Sequence, residues 1–149
     1  MPIVLRPPAP ADLPALLALF REAFGHDASR AEWEWKYDRA PHRAISLGAF
    51  DGENALGFFG GLGTRFRGAS GDLPGLAAVD VMTAPSARTL GRRTLFQELG
   101  EEFFRLNAEA GAPFVLGFPN ERHRLVGERT LAYRSVEAAG EWTLSLIHI

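Results

Sequence analysis

The period of the apolar positions changes repeatedly along the 149-residue chain, and each change marks an element. Ile3 to Arg6 is a short β-branched run closed by Pro7 and Pro8, which predicts a first strand that stops there. After Asp12, residues Leu13, Leu16, Leu17, Leu19, Phe20 and Phe24 recur at helical spacing. Pro14 falls in the first turn of this helix, where a missing N–H is tolerated, and Gly25 stands at its C′ position. Ser29 with Glu32 three residues later has capping-box spacing and predicts a second, short helix to Tyr37. Trp33 and Tyr37 share one face of it and Trp35 points elsewhere.

Ala44 to Phe50 and Ala55 to Phe66 read as two strands joined by Asp51-Gly52-Glu53-Asn54, a turn of the Asp-Gly kind. Gly57, Gly60, Gly61 and Gly63 are expected to weaken and bulge the second of them. Arg67 to Pro74 reads as loop and Gly75 to Met82 as the next strand. From Arg92, residues Leu95, Phe96, Leu99, Phe103 and Leu106 form an apolar helical stripe ending near Gly111 and Pro113. Phe114 to Phe118 is a continuous apolar run of the buried-strand type, stopped by Pro119, and Asn120 is placed to cap a helix from Glu121 to Thr130. Tyr133 to Thr143 gives a last, weaker strand. The predicted order is β-α-α-β-β-β-α-β-α-β, an α/β domain.

Composition narrows the function classes. Hydrophobic residues make up 46% and aromatics 11% of a 16.3 kDa chain, enough for one well-filled core. A formal net charge of −2 lacks the basic excess of a nucleic-acid binder. With zero cysteines there is no thiol nucleophile and no Cys-based zinc site, and His26, His42, His123 and His148 lack metal-ligand spacing, so no metal is expected. No run approaches the roughly 20 apolar residues of a membrane span, and a cytoplasmic protein is expected. Lys36 is the only lysine.

The most informative stretch is VDVMTAPSARTLGRR, Val79 to Arg93. A strand feeding a helix through a loop leaves the helix's first N–H groups aimed outward, and Arg88, Arg92 and Arg93 add positive charge, so the junction is suited to an anion. The glycines of the preceding strand fit neither Gly-x-Gly-x-x-Gly nor a P-loop, so no nucleotide site is expected there.

This stretch resembles the acetyl-CoA-binding motif of the GNAT acetyltransferases, a strand ending in apolar-x-Val followed by Arg/Gln-x-x-Gly-x-Gly/Ala. Val79 and Val81 stand at the strand positions and Arg88 and Gly91 at the first two loop anchors, while Arg93 replaces the usual Gly or Ala. Leu-Arg-Pro at Leu5 to Pro7, Trp-x-Trp-x-Tyr at Trp33 to Tyr37 and Gly-Phe-Pro-Asn at Gly117 to Asn120 suit the same family and a subgroup of it. The resemblance implies a mixed, mostly antiparallel central sheet with helices on both faces. It also implies acetyl-CoA as cosubstrate, and transfer of an acetyl group to a primary amine of a small molecule. Val81, Met82, Arg88, Thr89, Leu90, Gly91, Arg92, Arg93 and Asn120 are the implied cosubstrate-binding residues, with the backbone N–H of Val81 or Met82 polarising the thioester carbonyl.

Two carboxylates are candidates for the proton chemistry. Asp80 alternates with Val79 and Val81 and so faces the other way. It is read as a general base raised by burial, as a carboxylate recognising a cationic acceptor, or as one merely hydrogen-bonded in the sheet. Leu131-Ala132-Tyr133 stands where the family has Leu-Gly-Phe/Tyr, and counting back puts Glu128 where many members carry a tyrosine acid. Glu128 is either an exposed helix residue or a substitute acid. The missing tyrosine and Arg93 keep open a non-catalytic domain that binds CoA or a protein partner, and a homodimer is left open. Leu144 to Ile149 resembles the in-frame translation of a transposon-end sequencing adapter. Residues 144–149 are therefore expected to be a non-native tail on a domain, 1–143, that is incomplete at its C-terminus.

Overall fold

A computed structural model of the chain describes residues 2–87 and 94–136. It divides into two compact units, residues 1–117 and 118–149. The first holds β1 (Val4–Arg6), α1 (Leu13–Phe24), α2 (Arg30–Tyr37), β2 (Ala44–Asp51), β3 (Asn54–Gly68), β4 (Gly71–Thr83), α3 (Leu95–Glu109) and β5 (Val115–Leu116). The second holds α4 (Glu121–Thr130). The five strands form one sheet in the order β1-β2-β3-β4-β5, antiparallel except for the β4–β5 pair.

Alternation along β3 sorts the core into two layers. The Phe58 ring meets Trp33 and Tyr37 of α2 at centroid distances of 5.1 and 5.5 Å. The next residue, Phe59, points through the opposite face onto Phe103 of α3 at 4.4 Å. On the α3 side Leu95, Leu99 and Phe103, the stripe expected from its spacing, are all fully buried. On the other side α1 buries Leu13, Leu16, Leu19 and Phe20.

The helix ends follow local chemistry. Ser29 Oγ accepts from Glu32 N–H and Glu32 Oε2 accepts from Ser29 N–H, the capping box expected for α2. Gly25 terminates α1 at φ 77°, a left-handed conformation that glycine adopts without a Cβ penalty. Asp12 precedes α1 but makes no side-chain cap. Its carboxylate takes a bidentate pair from Arg6 at 2.6 and 2.8 Å and accepts from Ala9 N–H, which ties β1 to the start of α1.

Several sequence expectations are corrected. Arg67 to Pro74 is not a loop: β3 runs to Gly68 and β4 starts at Gly71, around a two-residue turn at Ala69 and Ser70. Pro74 is compatible with a strand because its N faces away from β3, onto an edge with no strand beside it at that point among the described residues. Gly-rich β3 is also the longest strand among the described residues, at 15 residues. It does carry one bulge, an extra residue, Leu56, between the pairs Ala49↔Gly57 and Phe50↔Ala55. β5 is shorter than the apolar run suggested. The expected strand from Tyr133 is absent as far as Val136, and the rest of it lies outside the described residues.

Candidate active site

The site is built on β4 where it loses its outer neighbour. β5 pairs with β4 only at Leu76↔Val115 and Ala77↔Leu116, so from Ala78 to Thr83 the outer edge has no strand beside it among the described residues. Which amides face that edge follows from two hydrogen bonds. Leu76 N–H donates to Phe114 O at 3.2 Å, so the even-numbered positions around it, Pro74 and Ala78, face outward. Past Asp80 the parity is reversed: Ala84 N–H donates inward to Leu56 O at 2.8 Å. Counting back along the strand, Met82 N–H also faces β3, and the amides of Thr83 and Val81 face the open edge.

A bulge makes the switch. The register passes from Gly60↔Val79 to Phe58↔Met82, so Phe59 stands opposite two residues, Asp80 and Val81. Asp80 takes φ 50°, a left-handed conformation. It costs an L-residue with a Cβ about 1–2 kcal/mol, which Asp tolerates better than most. Of the two amides expected to meet a thioester carbonyl, the bulge thus turns Val81 outward and leaves Met82 in the ladder. The Met82 side chain is buried.

The bulge breaks the alternation expected of Asp80 and its valine neighbours: Val79 pairs with Gly60 on the face that Tyr37 covers, and two consecutive residues of α2 meet Asp80 on that face as well. Lys36 Nζ donates to both carboxylate oxygens at 2.8 and 3.1 Å, and Tyr37 Oη donates to Oδ2 at 2.7 Å. The carboxylate is only 13% exposed and the lysine side chain 31%. Burial first, then the adjacent Asp80 charge, push the Tyr37 phenol far above its ordinary pKa, so it stays a neutral donor. The Tyr37 ring is wedged between Trp33, at 4.7 Å, and Phe58. Its hydroxyl lies against Gly60, where a Cβ would collide with Tyr37 Oη and lie 2.7 Å from Val79 O. Tyr37 also lines a cavity of about 290 Å³ with Leu13, Leu16, Trp33, Ser46 and Phe58, beside the cluster but not including Asp80.

The sequence pointed to Asp80 and Tyr37 separately but not to their meeting, nor to Lys36, which lies 44 positions from Asp80. The available signal was charge: a carboxylate between valines in a strand needs a partner, and the lone lysine follows the buried Trp33 by one helical turn. Asp80 is thus ion-paired to Lys36 and hydrogen-bonded by Tyr37, both from α2, an arrangement none of the three sequence readings named.

The loop expected from the sequence to suit an anion, Arg88, Thr89, Leu90, Gly91, Arg92 and Arg93, lies outside the described residues. Its flanks are defined: a single 3-10 turn at Pro85–Ala87 follows β4, and Thr94 caps α3, its Oγ1 accepting from Gln97 N–H at 3.2 Å. That cap engages the third amide of α3, at its N-terminal end.

In the second unit, Asn120 caps α4, its Oδ1 accepting from His123 N–H at 2.9 Å. Glu128 accepts from Arg124 at 2.8 and 2.9 Å and from Ser135 Oγ at 2.6 Å. The Ser135 hydroxyl, then Arg124, hold its carboxyl below the usual range. The Glu128 side chain is 30% exposed and ion-paired along α4, whereas a substitute acid would have to carry a proton near neutrality. His123 is half-buried against Tyr133, with their rings 5.9 Å apart, and burial lowers its pKa. Among the described residues no group of three His, Cys, Asp or Glu is arranged to hold a metal, and no helix is long and apolar enough to cross a membrane.

A mostly antiparallel sheet whose fourth strand bulges and then loses its outer partner, ahead of a loop that feeds a helix, defines the class to which the chain is referred. The acetyltransferase (GNAT) domain profile matches residues 4–126, and the chain belongs to that family. Solved structures share the fold at low identity. An acetyltransferase of Trypanosoma brucei is 18% identical with a TM-score of 0.73, covering 96% of this chain and 100% of its own. An aminoglycoside acetyltransferase from an uncultured soil metagenomic sample is 18% identical with a TM-score of 0.72, covering 97% and 100%. AAC(6')-Iy, solved with the bisubstrate analogue CoA-S-monomethyl-acetylneamine, is 15% identical with a TM-score of 0.74, covering 97% and 99%. No curated protein sequence matches the chain.

Proposed function

We propose that the protein transfers an acetyl group from acetyl-CoA to a primary amine of a small molecule. The observation that carries this reading is the outward-facing Val81 amide on an edge that no strand covers among the described residues. A donor held in place by the sheet at an uncovered edge is the arrangement that stabilises developing negative charge on a thioester oxygen. The acetyl-CoA pantetheine arm fits the same edge because Thr83 presents a second unused amide two residues on. Arg88, Thr89, Leu90, Gly91, Arg92 and Arg93, with the start of α3, are the proposed pyrophosphate site.

The amine nitrogen attacks the carbonyl carbon, the C–N bond forms, the C–S bond breaks, and the sulfur leaves as a thiolate that takes up a proton. Asp80 is the titratable group next to Val81 in sequence and is the proposed recipient of the amine's proton. The aminoglycoside substrates named for two structural neighbours are cationic amines, in keeping with an acceptor drawn to a carboxylate.

Isothermal titration with acetyl-CoA tests the reading. Saturable binding that weakens strongly in Arg88→Ala for CoA, but not for pantetheine analogues without the pyrophosphate, is expected. No heat and no thermal shift at millimolar ligand would count against it.

A further inference from the structure

We infer that Lys36 and Tyr37 are positioning residues for the transfer: the last turn of α2 clamps the Asp80 bulge and so sets the direction of the Val81 N–H. The inference rests on the acyl-transfer reading above for its catalytic consequence, and on geometry alone for the clamp.

Three residues at the bulge meet α2. Asp80, at the left-handed position, has its carboxylate held by Lys36 Nζ on both oxygens and by Tyr37 Oη on one. Phe58, which pairs with Met82 at the far end of the bulge, packs its ring on Trp33 and Tyr37. Gly60, which pairs with Val79 at the near end, offers no Cβ and so admits the Tyr37 hydroxyl.

The bulge is one residue of extra length between two ladders of opposite parity. If Asp80 left its left-handed well and the extra residue were absorbed elsewhere along β4, the amide facing the open edge would change, because successive amides in a strand point to opposite sides. The side chains that pin Asp80 therefore choose which N–H meets the substrate. Neither Lys36 nor Tyr37 needs to touch the substrate to do this. Lys36 neutralises the carboxylate, and Tyr37, jammed between two aromatic rings, fixes its direction.

The test compares acetyl-CoA with S-ethyl-CoA, a thioether with no carbonyl for Val81 N–H to reach, in wild type, Tyr37→Phe, Lys36→Met and Lys36→Arg. Wild type should prefer acetyl-CoA by about tenfold, the size of one well-made hydrogen bond. Tyr37→Phe and Lys36→Met should bring that ratio to about one and lower kcat by about tenfold, with affinity for CoA itself changed less than about twofold. Lys36→Arg, which keeps the cation, should retain most of the wild-type preference. A residue that only stabilised the fold would change melting temperature and leave the ratio alone.

Hydrogen–deuterium exchange over residues 76–84 gives a second readout that needs no ligand, and faster exchange in Tyr37→Phe or Lys36→Met is expected. Folded variants with wild-type preference, kcat and exchange would overturn the inference. If wild type binds no CoA, the acyl-transfer reading falls, and the clamp is then judged by exchange alone: unchanged rates over 76–84 overturn it. Should Tyr37→Phe fail to fold, the more exposed Lys36→Met carries the comparison.

Discussion

Replacing Asp80 by Asn, Gly and Ala separates the backbone strain at the bulge from the contacts that hold it. Asp80→Ala removes the acceptor of the buried Tyr37 hydroxyl, which costs about 1–3 kcal/mol when a buried donor loses its partner. Loss of the partly exposed Lys36 pair adds about 0–1 kcal/mol, and Ala at φ 50° pays about 1 kcal/mol more than Asp. The expected total is about 3 kcal/mol, or a melting temperature lower by about 6–12 °C for a chain of this size. Asp80→Gly loses the same contacts but not the left-handed penalty. After its greater unfolded-state entropy is set against that gain, it should lie about 0.5–1 kcal/mol above Ala. Asp80→Asn keeps an acceptor for Tyr37 and tolerance of φ > 0, so it should lose less than either. Urea unfolding of the four proteins, compared at constant m-value, should rank them wild type, Asn, Gly, Ala. Ala equal to or above Gly would refute the left-handed assignment, and Ala within about 0.5 kcal/mol of wild type would refute the buried clamp.

Three further outcomes are expected. The Arg6 guanidinium and Ala9 amide hold the Asp12 carboxyl below its ordinary value, so its stabilising contribution is complete above the unfolded pKa. That contribution is lost as pH falls through the lower folded value, so Asp12→Asn should flatten the stability–pH curve below about pH 4, and an unchanged slope there would contradict the pairing. Phe103→Ala, emptying a fully buried site between Phe59 and Phe104, should cost about 3–5 kcal/mol by denaturant unfolding; under about 1 kcal/mol would place Phe103 outside the core. Gly60→Ala should destabilise by about 1–3 kcal/mol, because Val79 O is backbone and cannot yield to the new methyl, and a neutral result would contradict the close approach of α2 to β3.

What could be read from the sequence was what local chemistry decides. The Ser29–Glu32 box, the Gly25 stop, the apolar stripe of α3 and the Asn120 cap each depend on residues within a turn or two of one another, and all are present. The extra length of β3 and β4 was missed because glycine and proline between Arg67 and Pro74 signal loop unless the free edge beside Pro74 is known, and that edge is a tertiary fact. The same limit applies to the site. Asp80 was visible as a strand carboxylate, but its meeting with Lys36 and Tyr37 depends on α2 lying over β3, which no period in the chain encodes. The Glu128 pair, by contrast, was local: Arg124 stands four residues earlier on the same helix and was legible as its partner.

The central claim is turnover at the open edge of β4, and release of free thiol from acetyl-CoA tests it most directly. The purified chain would be assayed against a panel of amines, amino sugars and aminoacyl compounds, with wild type beside Tyr37→Phe. Amine-dependent thiol release by wild type, reduced about tenfold in the variant, is the predicted result. Saturable CoA binding with no amine-dependent release from any member of the panel would contradict it and leave a domain that binds without catalysing.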